Sequence, residues 1–330
     1  MLRIGLTGGI AAGKSVVARR LEELGAVLVD ADVLARRVVE PGTEGLQEVI
    51  GAFGRDILTA DGELDRPALG RLIFGDAGSR DRLNSIVHPR VRSAAAARIA
   101  AAPADAVVVE DIPLLVETGQ APRFHLVIVV DAPEAERVRR MVEHRGMSVG
   151  DAEQRIAAQV SGPERLRDAD AVLENSGTSD DLLGATDALW HARLVPFAAN
   201  VLAARPASDE DRPVPDTAMA LRGTRGLSRR VRAKLDAALP ADCSATFEAM
   251  EHIASVGSVE DAGLDDVART ALRMSISRPN PSATGLEDDG VRDAFTAAGF
   301  PPVQAGSGAM YRGADPATSV RIEHAGRLHT

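Results

Sequence analysis

Lys14 is one of only two lysines in 330 residues, the other being Lys234, and it stands between Gly13 and Ser15. With Gly8 five positions upstream of Gly13, the run LTGGIAAGKS fits the spacing G-x-x-x-x-G-K-S/T. Each residue type serves phosphate chemistry. Glycines let backbone N–H groups close around phosphate oxygens, and the following helix points its positive end at them. A slim ammonium at Lys14 bridges two phosphates as a point charge, where a planar guanidinium fits badly. Ser15 can offer its hydroxyl to Mg²⁺. The stretch Gly9, Ile10, Ala11, Ala12, Gly13, Lys14, Ser15 and Val16 is therefore expected to hold the phosphates of ATP. The plainer alternative is a glycine-rich turn before an ordinary helix.

Phosphoryl transfer also needs a positioned acceptor, a group to take its proton, and cations over the developing charge. Asp32 lies just past a short apolar strand, where its carboxylate could accept a hydroxyl proton or hold a metal-bound water. It could equally cap a helix starting at Val33. Asp30 reads as a buttress to its neighbours. Asp111 ends the buried run AVVVEDI and could hold a metal-bound water or serve as a structural strand-end acid. Residues 134–167 contain seven arginines: Arg137, Arg139, Arg140, Arg145, Arg155, Arg165 and Arg167. Most fit a solvated face paired to Glu136 and Glu143. Two helices placed there, with a glycine-containing turn between them, also have the form of a lid that closes over a nucleotide. His88 sits before a proline, and no chemistry is assigned to it.

The elements that position these residues read as an α/β core with a parallel sheet. Strands are expected at residues 2–7, 26–29, 106–112, 126–130 and 171–173. Helices are expected at 14–24, through 33–100 with breaks at Pro41-Gly42, Asp61-Gly62 and His88-Pro89, and at 179–202. A lid of two helices covers roughly 133–159 around a turn at 144–148. Arg205–Asp216 (RPASDEDRPVPD) reads as an exposed linker. Beyond it, a helix at 228–239 and weak strands suggest a second, smaller α+β domain. The net charge of −10 is shared: 23 basic and 30 acidic side chains lie in residues 1–200, with 15 and 18 in the remainder. That balance and 3% aromatics argue against a nucleic-acid surface. One cysteine, Cys243, rules out an internal disulfide framework. Neither a membrane span nor a leader is read, so a cytoplasmic protein is expected.

Six segments in order, GLTGGIAAGKS, VLVDADVLARRVVEPG, DGELDRPALGRLIF, LNSIVHPRV, DIPLLVE and ADAVLENSG, resemble the dephospho-coenzyme A kinase family across residues 1–200. The resemblance implies transfer of the γ-phosphoryl of ATP to the ribose 3′-hydroxyl of dephospho-CoA. It also implies a nucleotide core, a helical CoA-binding part and a lid at about 134–167. In that family's terms Asp32 faces the 3′-hydroxyl, and Lys14 and Arg140 flank the transferred phosphoryl. Ser15 meets Mg²⁺, and Asn175 and Gly177 border the adenine. His125 stands where an acid often precedes the strand. The kinase domain is expected to end near residue 204.

In residues 217–330 the segment MEHIASVGSVEDAGLDDVARTALRMSI, followed by AFTAAGFP, is similar to the GrpB-like, nucleotidyltransferase-related family. The turn Ala254-Ser255-Val256-Gly257-Ser258 is scrambled, and an arginine, Arg273, falls near the place where an acid is expected. Nucleotidyl transfer needs carboxylates to hold its metals. An inactive scaffold or folding aid is therefore expected, with a second enzyme as the alternative. A GTPase-like switch is excluded for the first domain, because no Asn-Lys-x-Asp segment exists. A kinase of another small metabolite stays open.

Overall fold

The computed structural model describes residues 1–207, 224–241, 243–249, 268–277, 289–303 and 310–324. The first half runs β1 (Leu2–Gly8), α1 (Lys14–Glu23), β2 (Val27–Asp30), α2 (Ala31–Arg37), α3 (Glu44–Phe53), α4 (Arg66–Ile73), α5 (Ala77–Ala100) and β3 (Val107–Asp111). It continues through β4 (Leu126–Asp131), α6 (Glu134–Arg145), α7 (Val149–Ala157), α8 (Gly162–Arg167), β5 (Ala171–Glu174), α9 (Ser179–Leu189) and α10 (Val195–Leu202). The strand order is β2-β3-β1-β4-β5. β4 lies parallel to both its neighbours, with Ile4 opposite Leu126 and Ile128 opposite Ala171. Leu2, Ile4, Leu6, Val108, Leu126 and Ile128 are fully buried. Strands covered on both faces bury every residue, which is why β3 and β4 read as unbroken apolar runs.

The chain forms two compact units. One comprises Met1–Ala26, Pro103–Val109 and Pro113–Thr330; the other comprises Val27–Ala102 and Glu110–Ile112. In the second unit, Val39, Val49, Ile57 and Leu69 form a core with flanking Phe53, Leu64, Leu83 and Ile86. Asp30, Thr43, Asp65 and Asp76 cap α2 to α5 by accepting backbone N–H groups. The break expected at His88-Pro89 is absent: α5 runs through Pro89. Proline removes a ladder N–H and crowds the preceding turn. The carbonyl left without its ladder donor is that of Ser85, and the Arg90 side chain folds back on the same turn, Nη1 donating to the Ile86 carbonyl at 2.8 Å.

The closing helix expected over 179–202 is interrupted by a wide turn at Trp190–Leu194. Pro196 follows this turn and has no N–H to continue the ladder. Further on lie α11 (Thr224–Ala238), β6 (Ser244–Ala249), β7 (Ala268–Ser277), α12 (Asp289–Ala297), β8 (Pro302–Val303), β9 (Met310–Arg312) and β10 (Thr318–His324). Their sheet order is β6-β7-β10-β9-β8, with β7 and β10 parallel. Val231, Leu235, Phe295, Phe300, Tyr311 and Ile322 are among its buried core. Most of the expected linker, 208–216, and the turn at 254–258 lie outside the described residues.

This region grips the leading ends of β1, β4 and β5. Asp170, just before β5, accepts from Arg230 Nη2 at 2.7 Å, and the Lys234 ammonium stands 3.5 Å away. The Asp170 carboxylate also accepts from Val127 N at 2.9 Å. Arg193 makes a two-pronged pair with Asp315 at 2.6 and 3.0 Å. His125 accepts from Arg3 N at its Nδ1 (2.9 Å), and its Nε2 lies 2.7 Å from the Ala297 carbonyl. Burial alone would raise the Asp170 carboxyl, but the Arg230 and Lys234 charges hold it well below the usual carboxylate range.

Candidate active site

β1 delivers the chain into the turn Gly9–Gly13. Ala12 N donates to Gly9 O at 3.0 Å, and Val16 N donates to Gly13 O at 2.9 Å as α1 begins. Ala11 (φ 60°) and Gly13 (φ 103°) are both left-handed. Such a backbone turns successive N–H groups toward one concavity, the geometry that receives an anion. No side chain caps α1, and its first turn holds no acid. Lys14 is half-buried, and Ser15 is exposed at the helix start.

Two close approaches explain the glycines. A Cβ on Gly13 would sit 2.2 Å from Asn175 Nδ2, the atom that donates to Ala12 O at 2.8 Å. A Cβ on Gly9 would sit 2.6 Å from the guanidinium carbon of Arg137. Asn175 is buried, and Gly177 is exposed beside it. Asn175 follows β5 directly, and its backbone N donates to Asp131 O at 2.7 Å.

The segment expected to form a lid holds three helices, α6, α7 and the short α8, where sequence reading expected two. Met141, Ala152 and Ile156 form its core, against which Ile10 and Ala11 of the phosphate loop pack. The seven arginines separate by environment. Arg139 is exposed and paired to Glu136 and Glu143, the solvated face anticipated. Arg145, Arg155 and Arg167 are also exposed. Arg137 is buried, donating from Nε to Ile10 O at 2.9 Å and from Nη2 to Gln159 Oε1 at 3.3 Å. Burial, and then the nearby Arg165 charge, push its guanidinium below its ordinary pKa. Arg165 is fully buried; Nη2 donates to Val160 O, and among the described residues its Nε and Nη1 meet no acceptor.

Arg140, expected to flank the transferred phosphoryl, bridges α6, the loop and the end of β5. Its Nε donates to Glu136 at 2.8 Å, and its Nη2 donates to Asn175 O at 3.0 Å and Oδ1 at 3.3 Å. Its Nη1 reaches Ala11 O at 3.3 Å. These acceptors are all carbonyl or carboxylate oxygens, so in this conformation Arg140 ties the loop to the Asn175 corner. The arginine lying on the glycine of the loop is Arg137.

In the second unit, Asp30 and not Asp32 caps α2, accepting from Asp32 N and Val33 N at 2.8 and 2.9 Å. The helix begins at Ala31, two residues earlier than expected. The Asp32 carboxylate is exposed and takes no part in the cap. Glu110 and Asp111 are buried at the end of β3. His88 is exposed along α5, in keeping with having no assigned chemistry.

Sequence reading did not single out Arg137 or Gln159. Arg137 lies four residues before the buried Met141, which places it on the apolar face of α6, and Gln159 lies two residues past the end of α7, three after the buried Ile156. A polar residue at such a position was the available signal.

Among the described residues no three His, Cys, Asp or Glu side chains gather as a metal cage. No helix there is long and apolar enough to cross a membrane. An exposed hydroxyl at Ser15, beside a loop shaped for phosphates, suits Mg²⁺, which is usually held by few protein oxygens together with phosphate oxygens and waters.

The sequence model of the family described as Dephospho-CoA kinase matches residues 2–181. A dephospho-CoA kinase of Mycolicibacterium paratuberculosis is 56% identical over 201 residues, covering 61% of this chain and 49% of its own length. The chain thus spans about half the length of the mycobacterial relatives it matches. A dephospho-CoA kinase of Leifsonia xyli is 51% identical over 193 residues, covering 58% of this chain and 98% of its own. The crystal structure of TT1252 from Thermus thermophilus, 37% identical, superposes with a TM-score of 0.50 over 57% of this chain and 96% of that one. With the loop Gly8–Ser15 and its parallel sheet inside the matched residues, the chain belongs to the dephospho-CoA kinase family.

Proposed function

We propose that the chain phosphorylates dephospho-CoA on its ribose 3′-hydroxyl with ATP, giving CoA and ADP. The observation that carries this reading is the family match across residues 2–181, which spans the phosphate loop, Asp32 and Asn175. In this reading Gly9 to Val16 enclose the phosphates, and Asn175 and Gly177 border the adenine. Lys14 gains attraction to the γ-phosphoryl as charge develops on it. Asp32 takes the proton of the 3′-hydroxyl as its oxygen attacks phosphorus. Its exposure, and the cap supplied by Asp30, support that role. Ser15 would hold Mg²⁺, which when bound neutralises phosphate charge as a Lewis acid. Arg140 is assigned to holding the nucleotide corner through Asn175, and Arg137 to the phosphate side.

The kinase chemistry is assigned to residues 1–204. Residues 217–330 are proposed to be a GrpB-like region without catalysis of its own; Arg273, where an acid is expected, supports this. The proposed setting is the cytoplasm, with ATP and dephospho-CoA as partners and neither nucleic acid nor membrane. The deciding assay supplies the full chain with ATP, Mg²⁺ and dephospho-CoA and scores CoA and ADP. CoA formation is expected. Phosphorylation of a different metabolite, with none of dephospho-CoA, would overturn the substrate assignment.

A further inference from the structure

Gln159, in the connection between α7 and α8, places its Oε1 2.8 Å from the backbone N of Ile10. The same oxygen receives Arg137 Nη2 at 3.3 Å. Both partners are donors, so only the carboxamide oxygen fits there. Ile10 N–H belongs to a loop whose N–H groups are shaped to receive phosphate oxygens. Arg137 is a buried cation pressed flat against Gly9 of that loop. Arg165 stands close enough to lower the Arg137 pKa, and two of its buried donors meet no acceptor among the described residues. One buried guanidinium and a loop N–H thus converge on a single neutral oxygen, with the charge of a second guanidinium, Arg165, near enough for Arg137 to feel it. A phosphate oxygen would satisfy the same donors and bring the charge that the carboxamide lacks.

We propose that Gln159 is a latch that stands in for a nucleotide phosphate oxygen, fastening the lid to the phosphate loop until ATP displaces it. This rests on the reading of the chain as an ATP-dependent kinase. The exchange is a substitution of acceptors. The phosphate oxygen takes over the donors from Ile10 and Arg137, and Gln159 leaves with the α7–α8 connection. Gln159 is accordingly a positioning residue. Its effect falls on ATP affinity and on ligands that carry terminal phosphates.

The test measures ATP and AMP dissociation constants by calorimetry on the full chain, for wild type, Gln159→Ala and Gln159→Glu. Thermal melts accompany each variant. Removing the competitor in Gln159→Ala is expected to tighten ATP about three- to tenfold, the span of one modest hydrogen bond. Gln159→Glu keeps the length of the side chain but adds a charge that binds Arg137 and repels phosphate. It is expected to weaken ATP by about tenfold or more. AMP, lacking the outer phosphates, is expected to change less than twofold with either variant. A merely structural glutamine gives the opposite pattern: weaker ATP with Gln159→Ala, or equal losses for ATP and AMP. Either result overturns the latch. If Gln159→Ala does not fold, Gln159→Glu decides alone, because unaltered ATP affinity there refutes it. Wild-type chain that binds no ATP would overturn the kinase reading and the latch together. Wild-type binding with the wrong sign in the variants overturns the latch only.

Discussion

At the residue scale, the site depends on groups whose value appears only when charge moves. In the proposed transfer Lys14 is the cation of the phosphate loop, with an attraction that grows as the γ-phosphoryl loosens. Lys14→Ala is expected to lower kcat by about a hundredfold or more. Lys14→Arg should recover little, because the planar fork does not match a point-charge position. Steady-state kinetics on both variants check this, and near-normal turnover with arginine would refute the geometry. Asp32 has a different signature. Asp32→Asn keeps the size and one acceptor oxygen but loses the basicity, so kcat should collapse while ATP affinity persists. Calorimetry with ATP beside a turnover assay separates the two. Lost ATP binding with surviving turnover would make Asp32 a nucleotide or metal ligand instead.

At the element scale, α6 presents arginines to two different worlds. Arg139 and Arg140 are neighbours in sequence, yet one is exposed in a Glu136–Glu143 cluster and the other holds Ala11 and Asn175. Arg140→Ala is therefore expected to raise KM for ATP several-fold, whereas Arg139→Ala should be within about 0.5 kcal/mol of wild type in stability and unchanged in rate. Equal kinetics for the two variants would refute the division. Much of this element layer was legible in advance. The loop Gly9–Gly13, all five strands of the main sheet and the helices α6 and α7 followed from β-branched runs, glycine spacing and helical periodicity. What escaped had physical reasons. The uninterrupted α5 hid behind Pro89, because one missing ladder N–H does not outweigh the packing of a 24-residue helix against α2, α3 and α4, which sequence rules cannot see. The assignment of Asp32 was left open between cap and chemistry until Asp30 proved to be the cap. Arg140 was linked to the phosphoryl group by resemblance, and its contacts with Asn175, set by the tertiary meeting of α6 with the end of β5, were not legible in the sequence.

At the scale of the whole molecule, the region after residue 223 is fastened to the main sheet by buried charge. Arg230 and Asp170 are 2% and 7% exposed. Arg230→Ala leaves that carboxylate with the Lys234 ammonium at 3.5 Å and the Val127 N–H and is expected to cost about 3 kcal/mol, read from urea unfolding. Acid should act on the same seam. Burial lowers the His125 pKa to about 4, and its Nδ1 is already committed as an acceptor from Arg3 N. Between about pH 6.5 and 4 the unfolded chain takes up a proton that the folded chain refuses, so stability falls as pH falls, by at most ~1.4 kcal/mol per pH unit. Below about pH 4 the depressed Asp170 carboxyl adds a loss of the same sign. Urea midpoints between pH 8 and 4.5 test this: His125→Gln should flatten the upper part of the profile, and an unchanged slope would refute the assignment.

The seam and the phosphate loop occupy opposite ends of β1. Seven residues of strand separate them, roughly 20 Å. Among the described residues, those gripping the seam are thus too far away to touch a phosphate, and they can influence turnover only through the sheet they hold. Two backbone amides report on that hold directly. Arg3 N is bonded to His125 and Val127 N to Asp170, so their hydrogen-exchange protection depends on side chains and not on a strand ladder alone. On acidification these two amides should begin to exchange before those of Val16 and Val17 at the start of α1, which are bonded to Gly13 O. The sheet would then open first at the leading ends of its strands and last at the loop Gly9–Gly13.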